Sequence, residues 1–144
     1  MFGPHLIMEA YGCSYEKLTD INLLTNLLDR LPNEMNMTKI MAPYVFEYKG
    51  LIPDDWGVSG IVIIAESHLA IHTFPDKGFL TVDIFSCNEF NVRKAISMIV
   101  SAYEPKSWDE QLIQRGREFP RSMTKAAMIL ENERQQRFGE LAAI

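Results

Sequence analysis

The sequence predicts an α+β fold: a two-layer sandwich in which a mainly antiparallel β-sheet carries its helices on one face. Strand-like segments follow one another across hairpin-length turns, and two apolar stripes of helical period stand apart from them. The strands also carry apolar residues on both sides, so the second sheet face is expected to be covered as well, by another subunit.

His5 to Tyr11 reads as the first strand, and Gly12-Cys13-Ser14 breaks it. Leu18, Ile21, Leu24, Leu27, Leu28 and Leu31 then recur at three- and four-residue intervals, with Thr19 or Asp20 as cap and Pro32 as stop. Thr38 to Lys49 has strand character broken by Pro43, which predicts an edge or a bulge, and Leu51 to Gly57 reads as a connecting loop. Gly60 to Ile64 is a continuous apolar strand, and from His68 to Phe74 the residues alternate with Leu69, Ile71 and Thr73 on one side. Pro75-Asp76-Lys77-Gly78 supplies a turn into a further strand, Thr81 to Asn88. Asn88 or Asn91 can cap a helix whose stripe is Val92, Ala95, Ile96, Ile99, Val100 and Tyr103. Lys106 to Gln114 is a weaker strand, and Phe119-Pro120 separates it from an amphipathic tail over Ser122 to Leu141. Residues 1–118 are therefore expected to form one domain and residues 119–144 a helical extension.

With 144 residues, 47% of them apolar, the chain can bury one core. A net charge of -5 with no basic cluster argues against nonspecific nucleic-acid binding. No run approaches the roughly 18 apolar residues of a spanning helix, and no basic segment precedes an apolar one at the N-terminus, so a cytoplasmic protein without membrane attachment is expected. Two cysteines are too few for a disulfide framework and lack zinc-ligand spacing, so no metal is expected.

The chemistry is concentrated in Ala65-Glu66-Ser67-His68-Leu69-Ala70-Ile71-His72-Thr73-Phe74-Pro75. A polar Glu-Ser-His step interrupts two good strands. Period-2 alternation puts His68 and His72 on one sheet face, where both rings could look into the same space. The Pro75–Gly78 turn returns the next strand antiparallel and brings Cys87 back toward Ser67. Ser67, His72 and Cys87 thus form a constellation, although each taken singly has an ordinary reading as turn or core residue.

Val58-Ser59-Gly60, Ala65-Glu66-Ser67-His68, Ile71-His72-Thr73, Pro75 and Asp83-Ile84-Phe85-Ser86-Cys87 closely resemble the prokaryotic S-adenosylmethionine decarboxylase proenzymes over roughly residues 3–116. The resemblance implies that the chain cleaves itself between Glu66 and Ser67. Ser67 would attack the Glu66 carbonyl in an N→O acyl shift, and β-elimination and hydrolysis would leave a pyruvoyl group at position 67, the carbonyl of a Schiff base with the substrate. It further implies His72 as proton acceptor in processing, Ser59 as a processing support that helps hold the intermediate, and Cys87 as proton donor in decarboxylation. The implied substrate is S-adenosyl-L-methionine and the product S-adenosylmethioninamine for spermidine biosynthesis, made by a homodimer of processed protomers. Substrate contacts are expected from Phe74, where tryptophan is common in the family, from Trp56 in the loop that also holds Pro53, and from Glu66. Arginine or ornithine on the same scaffold is the alternative substrate class, and an uncleaved regulatory paralogue is a further one.

Overall fold

A computed structural model describes residues 3–116 and 123–142 of the chain. Seven strands, β1 (Gly3–Tyr11), β2 (Thr38–Lys39), β3 (Tyr44–Tyr48), β4 (Gly57–Ala65), β5 (Ser67–Phe74), β6 (Phe79–Ser86) and β7 (Ser107–Arg115), form one sheet. Their order is β2-β4-β5-β6-β1-β7, with β3 sharing the β4 edge beside β2, and every pairing is antiparallel. The helices are α1 (Tyr15–Leu18), α2 (Ile21–Glu34), α3 (Val92–Tyr103) and α4 (Met123–Ala142). The expected α+β class holds.

Side-chain chemistry explains the helix boundaries. Asp20 accepts a hydrogen bond from the Leu23 amide and Asn91 one from the Lys94 amide, so each caps its helix. The expected single helix from Leu18 is divided, because Ser14 caps a separate turn that ends at Leu18 and Asp20 then starts α2. Pro32 does not stop α2, which runs on to Glu34. So close to the end its ring forfeits one intrahelical bond, and the last turn is closed by the Met35 amide to Leu31 and the Met37 amide to Pro32. Pro43 falls between β2 and β3, which share an edge as its missing donor requires.

The core lies between one sheet face and α2 with α3. Leu24, Leu27, Leu28 and Leu31 of α2 and Ala95, Ile96, Ile99 and Tyr103 of α3 are buried. They meet Leu6, Met8, Val62, Ile64, Leu69, Ile71, Leu80, Val82 and Ile84 from the strands. On the opposite face Ile7, Ile61, Ile63 and Ala70 are half-buried, while Tyr44, Phe46 and Ile113 are exposed. Arg93–Glu110 ties α3 to β7 and Lys94–Glu34 ties it to α2, exposed pairs worth about 0–1 kcal/mol each. In α4, Ala127, Met128, Ile129 and Leu130 are all exposed. Phe119-Pro120, Ser122 and the side chains of Met123 and Phe138 lie outside the described residues. No described helix is long and apolar enough to cross a membrane.

Thr73 fastens the central hairpin to the helical layer. Only 3% exposed, its hydroxyl accepts from the Val58 amide at 2.9 Å and donates to the Leu18 carbonyl at 2.7 Å. Gly57 makes this approach possible, since a Cβ there would stand 1.7 Å from the Thr73 carbonyl oxygen.

Thr73→Val keeps the shape but leaves a buried amide and carbonyl without partners. Urea unfolding is expected to show a loss of about 1–3 kcal/mol. Tyr103→Phe should cost little, because the buried Tyr103 hydroxyl has no hydrogen-bond partner among the described residues. Burial pushes the Tyr103 phenol far above its ordinary value of 10.0. The unfolded phenol therefore ionises first, and stability present below pH 10 falls as pH rises past it. Melting temperatures measured across that range should fall less steeply for Tyr103→Phe.

Candidate active site

The chemistry-bearing residues sit at the end of the sheet where β4 turns into β5. The last pair of that hairpin is Ile64–Ser67, and Ser67 also lies opposite Ser86 of β6. Ser67 has φ 113°, a region that side-chain-bearing residues seldom occupy and that costs on the order of 1–3 kcal/mol. Cys87 follows β6 directly, and its amide donates to the Glu66 carbonyl oxygen at 3.3 Å. The carbonyl before Ser67 is thus polarised from across the strand end. Gly3 of β1 lets the chain close up here, for a Cβ would lie 1.9 Å from the Ser86 carbonyl oxygen and 2.8 Å from Cys87 Cα.

Beside this turn, one row crosses three strands. His68 stands opposite Phe85, and Phe85 opposite His5. The His68 ring meets Phe85 edge-on with centroids 6.2 Å apart, and the Arg115 guanidinium lies 3.9 Å from the Phe85 centroid. His68 Nδ1 is 3.4 Å from Ser67 Oγ, whereas His5 Nε2 is held 2.9 Å from Asp83. Sequence reasoning passed over His5 and Arg115, which no local pattern joins to Ser67.

His72 is elsewhere. It does share a sheet face with His68, but five residues of extended strand separate it from Ser67, about 16 Å. The two imidazoles do not look into one space, and a single protomer gathers Ser67 with Cys87 but not with His72. Instead His72 lies opposite Ser59, whose Oγ is 2.8 Å from His72 Nδ1.

That second group borders a cavity of about 490 Å³ lined by Phe46, Tyr48, Trp56 and Phe74 together with Asp55, Ser59 and His72. Trp56 and Phe74 therefore line the same cavity. Pro53 lines a neighbouring cavity, which it shares with Trp56. Trp56 Nε1 donates to Asp76 at 2.7 Å, and Lys77 pairs with Asp55 at 2.8 Å, so the loop before β4 is tied to the turn after β5. Glu66 is at the far end of the hairpin and does not join Trp56 or Phe74. Phe46 and Tyr48 escaped the sequence reading, although Tyr44, Phe46 and Tyr48 alternate with the period of a single strand face. No group of three or more His, Cys, Asp or Glu among the described residues could hold a metal ion.

A serine under a polarised carbonyl, a neighbouring cysteine and a separate aromatic cavity define a small α+β enzyme. Residues 4–116 match the family model described as S-adenosylmethionine decarboxylase. The chain belongs to the S-adenosylmethionine decarboxylase family. It is 33% identical over 115 residues to an S-adenosylmethionine decarboxylase proenzyme of Archaeoglobus fulgidus, covering 79% of this chain and 97% of that one. A proenzyme of the same name from Pyrococcus horikoshii is 31% identical over 140 residues, 96% of each chain, so the likeness extends into the tail. Among solved structures, the adenosylmethionine decarboxylase from Aquifex aeolicus superposes with a TM-score of 0.67 at 29% identity, over 80% of this chain and 91% of that one.

Proposed function

We propose that this chain cleaves itself between Glu66 and Ser67 and then decarboxylates S-adenosyl-L-methionine to S-adenosylmethioninamine and CO2, the aminopropyl donor for spermidine synthesis. The observation that carries the reading is the Cys87 amide on the Glu66 carbonyl beside Ser67. A carbonyl so held is the group a serine hydroxyl must attack to turn its own amide into an ester, and the amide stabilises the negative charge that develops on oxygen. The strained backbone at Ser67 also favours a step that relieves it. The residues present fit a pyruvoyl group formed at position 67, which supplies the electron sink that decarboxylation of an amino acid needs and that no side chain offers. Cys87 then holds the proton for the substrate carbon that loses CO2, a role suited to a thiol.

The proton acceptor for β-elimination is His72, oriented by Ser59, and it must come from a second copy of the chain because its own Ser67 is out of reach. A homodimer packed face to face through Ile7, Ile61, Ile63 and Ala70 would bury that apolar strip and set the Ser59–His72 end of one protomer against the Ser67–Cys87 end of the other. The aromatic cavity beside His72 suits the substrate chemically. Adenine can stack between Trp56 and Phe74, and a sulfonium cation is attracted to aromatic faces.

Denaturing mass spectrometry of the purified protein should show two fragments, residues 1–66 and 67–144, and Ser67→Ala should remain whole. CO2 release should be seen from S-adenosylmethionine and not from arginine or ornithine; release from a basic amino acid alone would replace the substrate, and an uncleaved active wild type would remove the mechanism. Cys87→Ala keeps the backbone amide on Glu66. It is expected to cleave yet to lose CO2 release by about 10²–10⁴-fold.

A further inference from the structure

We infer that His68, not His72, is the base that takes the Ser67 hydroxyl proton and starts the acyl shift. The inference rests on the self-cleavage reading above and assigns a residue to its first step. The chain has three histidines. His5 Nε2 is engaged by Asp83 and His72 Nδ1 by Ser59 at the other end of the hairpin, whereas His68 Nδ1 is 3.4 Å from Ser67 Oγ. Such a contact is long for a hydrogen bond, as catalytic contacts commonly are before the reacting groups close up. The ring is also held. Phe85 meets it edge-on from the next strand, and Phe85 is itself covered by Arg115 and flanked by His5.

With its own proton on Nε2, His68 presents a lone pair at Nδ1 toward the hydroxyl. As Ser67 Oγ bonds to the Glu66 carbonyl carbon, its proton passes to Nδ1 and the Cys87 amide takes up the charge on the carbonyl oxygen. When the bond from that carbon to the Ser67 nitrogen breaks, the same proton is delivered to nitrogen, leaving an ester and a free amine. No other reactant is consumed. The later step, removal of the Ser67 α-proton, is a different proton from a different atom, so two histidines acting in turn divide the work.

The two roles separate by the species that accumulates. Wild type, Ser67→Ala, His68→Ala, His68→Gln and His72→Ala are made by cell-free synthesis, treated with hydroxylamine at intervals and analysed by mass spectrometry, because hydroxylamine cuts an ester between residues 66 and 67 but not an amide. His72→Ala should accumulate hydroxylamine-sensitive chain. His68→Ala and His68→Gln should stay hydroxylamine-resistant, with ester formation slowed by about 10²-fold or more, and added imidazole should restore part of the rate in His68→Ala. Thermal melting matched to Ser67→Ala identifies a folded variant. Ester or fragments forming at the wild-type rate in a folded His68→Ala, or no response to imidazole, would overturn the inference while leaving self-cleavage intact. A wild-type chain that never cleaves would overturn the self-cleavage reading and this inference together.

Discussion

The register of β5 between β4 and β6 is the constraint on which the rest depends. It sets Ser67 opposite Ile64 on one side and Ser86 on the other, which brings the Cys87 amide onto the Glu66 carbonyl. The same register sets His72 opposite Ser59 at the other end. A slip of one residue would send Leu69, Ile71 and Thr73 out of the core and expose them on the far face, so the hydrophobic pattern holds the register firmly. Thr73 adds a polar lock, since its hydroxyl joins β4 and α1 and satisfies both in any one register only.

An extended hairpin cannot fold back on itself, and that rigidity shapes the site. Ser67 and Cys87 meet because antiparallel strands return to the same end, while His72 is held about 16 Å away by the strand it belongs to. Between the two ends the face opposite α2 and α3 carries Ile7, Ile61, Ile63 and Ala70. On the proposed reading this face is self-complementary, and two copies would complete two sites across it.

Elements with a strong period were legible in the sequence. The leucines of α2, the stripe of α3 and the alternation in β5 announce their partners because burial repeats with the local geometry. Cys87 was legible too, since the Pro75–Gly78 turn dictates that β6 runs back toward Ser67. His72 is near Ser67 in sequence, but the extended strand between them places it at the other end of the hairpin. Pro32 is not a stop because a helix near its end loses little by a missing donor. Arg115, His5 and Phe46 join the site only through pairings made far away along the chain, and Asp76 holds Trp56 through a contact across twenty residues.

The central claim is that Ser67 of one copy is processed with His72 of another. Its most direct measurement is co-expression of two differently tagged chains, one Ser67→Ala and one His72→Ala, with the mixed dimer isolated through both tags. Either chain alone should stay whole, and in the mixed dimer the His72→Ala chain should break after Glu66, served by the intact His72 of its companion. A mixed dimer in which that chain remains uncut, or a His72→Ala chain that cuts itself unaided, would contradict the account.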